Sequence, residues 1–239
     1  MASTHRLLTR LTLATLLTGG ASLPAGAATF VGAEPYFSFA DSSFAGIVFD
    51  DYFHLEDFED GLLNTPGVSS TSGGSVIGPS AQTDSVDADD GDIDGSGSGG
   101  HSFFSGFPGG ADTFTFEFDA NVLGRLPTHV GIVWTDVGAA TPTAGFGSVG
   151  FSAFGPGGSL GGLVSITLGD GSTFGATAED HFFGVIDPLG VSRITVSMAG
   201  ISSDWEVDHL QYGATTVPLP GALGPALLGC ALLVRRRRT

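Results

Sequence analysis

The sequence predicts an all-β protein: a single β-sandwich, jelly-roll-like, with an N-terminal signal peptide and one C-terminal transmembrane helix. Three observations predict it. Glycine is abundant, at 39 residues, and gathers in turn signals. Phenylalanine is numerous, at 19 against 3 Tyr and 2 Trp, which suits a tightly packed apolar interior. Several segments alternate apolar and polar residues with period two, and no helical period outside the two ends runs beyond about three turns.

The segments follow in chain order. "MASTHRLLTRLTLATLLTGGASLPAGAATF" opens with Arg6 and Arg10, continues with an apolar run from Leu11 to Leu17, and ends in small residues. Ala25 and Ala27 form an A-x-A site, so cleavage is expected after Ala27 or Ala28, and residues 1–28 read as a secretory signal peptide. Signal peptidase and the secretion machinery are the partners this implies. Residues 29–214 form the expected sandwich domain. Within it, residues 66–100 are rich in Gly, Ser and Asp and read as a long surface loop rather than a linker, because "LEDFEDG" before them still belongs to the domain.

The strands come next. "TFTFEFDA" puts Phe114, Phe116 and Phe118 on one face. "THVGIVWTDV" is apolar almost throughout, as in a strand covered on both sides. "LVSITLGD" aligns Val164, Ile166 and Leu168, and "SRITVSMAG" aligns Ile194, Val196 and Met198. "WEVDHLQYG" is a late strand. "PGG" at 108–110, "GPGG" at 155–158, "GDGS" at 169–172 and "DPLG" at 187–190 mark turns. Short strands and Gly-rich turns make a two-sheet sandwich.

Charge narrows the partners. All 25 acids lie between Glu34 and Asp208, where Arg125 and Arg193 are the only cations; the other six of the 8 basic residues lie at the two ends. Such a body repels nucleic acid and anionic lipid. The single cysteine, Cys230, allows no intrachain disulfide.

"DGDIDG" places Asp90, Asp92 and Asp94 at alternate positions before a glycine, the opening of a calcium loop, with Asp87 and Asp89 nearby. The closing glutamate is missing, since His101 stands there, so a solvated acidic turn is the competing reading. By analogy with jelly-roll carbohydrate-binding domains, in which the first and last strands share a structural calcium, Glu59 and Asp208 are further candidates for Ca2+. Trp205 and Tyr212 have polar neighbours and are candidates for stacking on a sugar, whereas Trp134 reads as core. "GSGSGG" and "GFGSVG" match a dinucleotide fingerprint but open no helix in a βαβ unit. The histidines have no zinc spacing. His129 and His181 flank apolar strands and are expected to be satisfied there by hydrogen bonds. No catalytic residue emerges, and a non-enzymatic protein is expected.

The chain closes on "VPLPGALGPALLGCALLVRRRRT". Val217 to Val234 carries no charge. At about 1.5 Å per residue it reaches about 27 Å, just short of a bilayer core of about 30 Å. Arg235, Arg236, Arg237 and Arg238 would stay on the cytoplasmic side. A proline-containing motif, a short apolar helix and a terminal arginine cluster resemble the PEP-CTERM sorting domain. Here the motif is Val217, Pro218, Leu219 and Pro220, with Leu219 where the commonest form has glutamate. The resemblance covers about the last 23 residues, and residues 215–239 are read as the sorting tail. It implies recognition by an exosortase-type membrane protease, cleavage near the motif, and transfer to the cell surface or exopolysaccharide matrix. "SVDADDGDIDGSGSGGHSFF" and "LPTHVGIVWTDVG" also resemble the bodies of other secreted PEP-CTERM proteins, which are largely without assigned activity. The reading is an exported surface or matrix protein associated with exopolysaccharide. Alternatives are a secreted polysaccharide hydrolase and a permanently anchored surface protein.

Overall fold

The alternating segments form strands because each must turn its apolar side chains to one face, and two such faces close on each other. The computed structural model describes residues 27–71, 73–80, 83–88, 99–106, 112–137, 148–168, 179–198 and 205–216. Among them are twelve strands: β1 (Thr29–Pro35), β2 (Tyr52–Glu56), β3 (Val68–Ser70), β4 (Ser75–Ile77), β5 (Ser102–Phe104), β6 (Thr113–Phe118), β7 (His129–Val137), β8 (Ser148–Gly155), β9 (Gly158–Thr167), β10 (His181–Ile186), β11 (Arg193–Met198) and β12 (Trp205–Ala214). The helix α1 (Ala120–Leu123) is a single turn, capped by the Asp119 side chain on Asn121 N–H.

The strands make two antiparallel sheets. The larger runs β1-β10-β7-β12-β5-β4, with β2 also paired to β12; the smaller runs β3-β6-β11-β8-β9. Between them lies one core. The smaller sheet contributes Phe114, Phe116, Phe151, Ile194 and Val196, and the larger contributes Ile132, Trp134, Phe183, Val207 and Tyr212. Phe114 stacks on Trp205 with ring centroids 3.9 Å apart, and Trp205 on Trp134 at 4.7 Å. The alternation of β6 and β11 in the sequence is thus the alternation of buried and exposed side chains in the sheet.

The outer face of the larger sheet is also covered. Tyr36, Phe44 and Val86 pack there on Val133 and Phe182. The cover comes from two stretches outside the sheets, around residues 36–49 and 83–88, and it explains why β7 and β12 are buried on both sides.

The expected loop over 66–100 is corrected in part. Val68–Ser70 joins the smaller sheet beside β6, and Ser75–Ile77 joins the larger beside β5. Asp90, Asp92 and Asp94 lie outside the described residues, as do Ala25, Val217, Pro218, Leu219, Pro220 and Arg235 to Arg238. No helix among the described residues is long and apolar enough to cross a membrane.

One row of pairs crosses four strands. Thr29 pairs with Ile186, Ile186 with His129, and His129 with Gly213. The first residue of β1 and the penultimate residue of β12 therefore sit at the same end of the larger sheet, three strand spacings or about 14 Å apart.

Candidate functional site

The chemistry-bearing side chains gather where β12 leaves regular geometry. Asp208 pairs with Val133 but Gln211 pairs with Gly131, so β12 uses three steps where β7 uses two. That is a β-bulge. His209 takes the extra position with φ 44, a left-handed conformation uncommon for a non-glycine residue. Leu210 and Tyr212 return to the core, while Asp208, His209 and Gln211 meet the covering segments.

A continuous hydrogen-bond chain results. Ser42 Oγ donates to Gln211 Oε1 (2.7 Å), and Gln211 Nε2 donates to the Tyr36 phenol oxygen (2.9 Å). Tyr36 Oη lies 2.8 Å from His209 Nδ1, and His209 Nε2 lies 3.0 Å from Asp87 Oδ2. With the imidazole neutral, Tyr36 O–H donates to Nδ1 and Nε2–H donates to Asp87, so every polar atom of the chain is satisfied. Beside it, Asp208 accepts from His209 N–H (2.6 Å) and Val86 N–H (3.0 Å).

The electrostatics follow from burial. Tyr36 is raised well above the usual phenol value, by burial first and then by Asp208 and Asp87, so it stays protonated. Full burial pushes Asp208 up to about 7, against the pull of His209 and the backbone donors. Burial opposes charge on His209, but Asp208 and then Asp87 outweigh it and raise its pKa. The hydrogen bond from His209 holds Asp87 below the usual carboxylate value.

An aspartate, an imidazole and a phenol in line are the parts of an acid–base relay. Here, however, Tyr36 is fully buried and His209 is 4% exposed; only Asp87 reaches solvent. The arrangement fastens residues 36–44 and 83–88 to the sheet, with no nucleophile presented at the surface.

Carboxylates elsewhere do the same job. Glu56 accepts from the N–H groups of Phe58, Asn64 and Thr65. Glu206 accepts from Asp84 N–H (2.9 Å) and Ser102 Oγ (2.5 Å). Glu59 accepts from Ser85 Oγ (2.9 Å) and His101 N–H (2.6 Å). With two arginines in the body, these carboxylates are held by N–H and O–H donors instead.

The pairing of "LEDFEDG" with the last strand is present in this form: Glu56 pairs with Leu210 in the β2–β12 ladder. The first strand, β1, pairs with β10 instead. Glu59 holds Ser85 and His101, and Asp208 holds Val86 and His209, so both carboxylates are engaged with the same covering side of the sheet. Among the described residues, the acid and histidine group close enough to hold an ion is Asp87, Asp208 and His209, with ligand atoms within 4.8 Å of one another. Its nitrogen donor does not suit calcium, which takes six to eight oxygens. All three residues already have hydrogen-bond partners, so the fit to Ca2+ at this place fails.

Trp205 and Tyr212 require correction as stacking residues. Both are fully buried, Trp205 against Phe114 and Trp134, and Tyr212 with its hydroxyl donating to Pro66 C=O (2.6 Å). Their polar neighbours in sequence lie on the opposite side of β12. His129 and His181 are satisfied locally, by Thr128 Oγ1 (2.9 Å) and Glu179 C=O (3.0 Å). Sequence reasoning missed Tyr36 and Gln211, for which only spatial proximity across the fold gives a signal.

A second feature lies at the end where both termini leave. Thr215 N–H donates to Thr128 Oγ1 (3.0 Å), and Arg125 Nη2 donates to Thr215 C=O (2.5 Å). Thr216 N–H donates to Asp50 Oδ1 (2.8 Å), and its hydroxyl donates to the same carboxylate. Tyr52 O–H in turn holds Arg125 C=O (2.9 Å). The chain is thus clamped at the two residues that precede Val217.

No family model, curated protein or solved structure matches this chain. The fold and site define an all-β protein of two antiparallel sheets with a buried polar network.

Proposed function

We propose that this chain is an exported cell-surface or matrix protein, non-enzymatic, built as a jelly-roll-like β-sandwich between two sorting labels. The signal peptide directs export. The tail at Val217–Pro220, its apolar run and its arginine cluster hold the protein in the membrane until an exosortase-type protease cuts near the motif. The body then joins the surface or the exopolysaccharide matrix.

The observation that carries this reading is the span of the folded body. Its strands run from Thr29, just past the expected signal cleavage, to Ala214, just before the motif, and both ends leave from one end of the larger sheet. That geometry suits a cargo whose two labels engage the same membrane in turn. The burial of Tyr36 and His209 supports the non-enzymatic part.

Intact-mass spectrometry of cell-associated and released protein tests it. The expected species begins at Ala28 or Thr29 and ends near Val217–Pro220. A soluble cytoplasmic chain with both ends intact would overturn the reading.

A further inference from the structure

We propose that the end of the sandwich carrying both termini is a lipid-contacting face, seated on the surface of a bilayer of neutral headgroups by a rigid joint rather than hung from a flexible stalk. This rests on reading the tail as a membrane segment.

Three independent observations meet at this face. The first is the row Thr29–Ile186–His129–Gly213, which brings entry and exit to one end. The second is the clamp. Asp50, Arg125 and Thr128 fix Thr215 and Thr216, so the chain is held to the body up to the residue before Val217. These hydrogen bonds remove free rotation at the last two residues before the tail.

The third is the placement of apolar side chains. The exposed large hydrophobic residues described are Val48 (87%), Leu62 (57%), Val122 (61%) and Leu189 (55%). Three of these four belong to the same end. Val48 precedes Phe49, whose ring packs on His129, and Asp50, which holds Thr216. Leu189 lies in the turn after β10, where Asp187 N–H donates to Thr128 C=O, and it lines a cleft of about 350 Å³ with Arg125 and Thr216. Val122 is in α1, which follows the end of β6 where Phe118 N–H donates to Ser192 C=O. Single exposed apolar residues need no explanation, but their concentration around a clamped membrane-bound exit does.

The charge at this face fits a neutral surface. Asp50 is bonded to Thr216, Asp51 lies 3.7 Å from the Arg125 guanidinium, and Asp119 caps α1. Acids that remain ionised still repel an anionic headgroup, so the partner is a zwitterionic one. Apolar side chains of modest size at an interface bind through buried area.

The test uses the full chain with Cys230→Ser and single cysteines in place of Val48, Val122, Leu189 or Ser75, each spin-labelled, in phosphatidylcholine vesicles. Ser75 is exposed at the start of β4, and it pairs with Phe104, which pairs with Glu206 at the far end of β12. The expected result is a several-fold higher ratio of oxygen to aqueous nickel-chelate collision for the three labels than for position 75. In a second chain carrying Asp50→Ala and Thr216→Ala, the difference should fall towards that of position 75 while the protein still floats with the vesicles. Vesicle-bound protein with all four labels equally aqueous overturns the seating. Dipolar broadening between copies overturns it too, in favour of a second copy on this face. A chain that does not float with vesicles removes the membrane reading of the tail itself, an outcome distinct from the other two.

Discussion

Tyr36 and His209 are 173 residues apart in the chain, and their polar atoms are 2.8 Å apart. The contact joins the segment before the first covering turn to the bulge of the last strand, so the network closes only when both ends of the domain have folded.

Removing the phenol oxygen tests that closure. Tyr36→Phe leaves His209 Nδ1 and one Gln211 N–H without their partner in a buried place. The expected loss is about 1–3 kcal/mol of folding stability, read as a lower urea midpoint at unchanged slope. A change below about 0.5 kcal/mol, the size of an ordinary surface substitution, would contradict the network's role.

The pH dependence carries two opposing contributions. Burial against Phe44 and Phe49 lowers His129 from 6.5 to about 4. Between those values the unfolded chain binds a proton that the folded one refuses. The contribution is therefore complete above 6.5 and is lost as pH falls towards 4, by on the order of 2 kcal/mol. Asp208 works the other way. Its pKa rises from 3.8 to about 7, so the folded state holds the extra proton, and its contribution fades as pH climbs through that window. His209, also raised, contributes fully below 6.5 and loses that contribution as pH rises through its folded value. Urea midpoints from pH 4 to 8 separate them: His129→Phe should flatten the acid side, and Asp208→Asn should lessen the decline towards neutral pH, leaving the part that Asp87 gives through His209. Slopes of the opposite sign would exclude this assignment.

The clamp at Thr216 makes a prediction about processing. A protease needs extended substrate on both sides of its cut, and the residues before Val217 are held. Asp50→Ala should speed amide exchange at Thr216 and raise the fraction of tail-free protein in cells that process it. Faster exchange with unchanged processing would show that cutting does not wait for release.

Calcium is tested at Asp90, Asp92 and Asp94 rather than at β12. Millimolar Ca2+ should raise the melting temperature, and replacing Asp90, Asp92 and Asp94 by Asn should abolish the shift. Asp208→Asn should leave the shift in place, because both Asp208 oxygens already accept backbone N–H groups. Loss of the shift only in Asp208→Asn would move the ion to the bulge.

Core packing offers a direct measure of the sandwich. Phe114 meets Trp205 at 3.9 Å and Phe103 at 4.9 Å between ring centroids. Phe114→Ala should cost about 3–5 kcal/mol by thermal or denaturant unfolding. A much smaller cost would mean that the two sheets do not share this core.

The strands with clean period-two patterns were legible. Phe114, Phe116 and Phe118, and likewise Ile194, Val196 and Met198, point inward as the alternation requires. The continuous apolarity of β7 correctly signalled cover on both faces. The strand β8, SVGFSAFG, carries glycines that blur the pattern and leave it without a sequence signal, whereas β10, HFFGVI, reads as the apolar strand beside His181. The covering segments were not legible, because Tyr36, Phe44 and Val86 lie in stretches without periodicity and bury themselves only against Val133 and Phe182. Trp205 and Tyr212 misled because polar neighbours in a strand report on the other face. The bulge at Asp208 to Gln211 leaves no mark in composition.

That bulge puts a phase change in the last strand. Trp205 and Val207 face the core on odd positions, and Leu210 and Tyr212 on even ones. Deleting the extra residue, His209, would restore regular alternation: Trp205, Val207, Leu210 and Tyr212 would all keep the inner face and Gln211 its place opposite Gly131, while the link from Tyr36 to Asp87 would be lost. A single-codon deletion at the bulge would therefore spare the inner layer and strip the covering segments of their anchor.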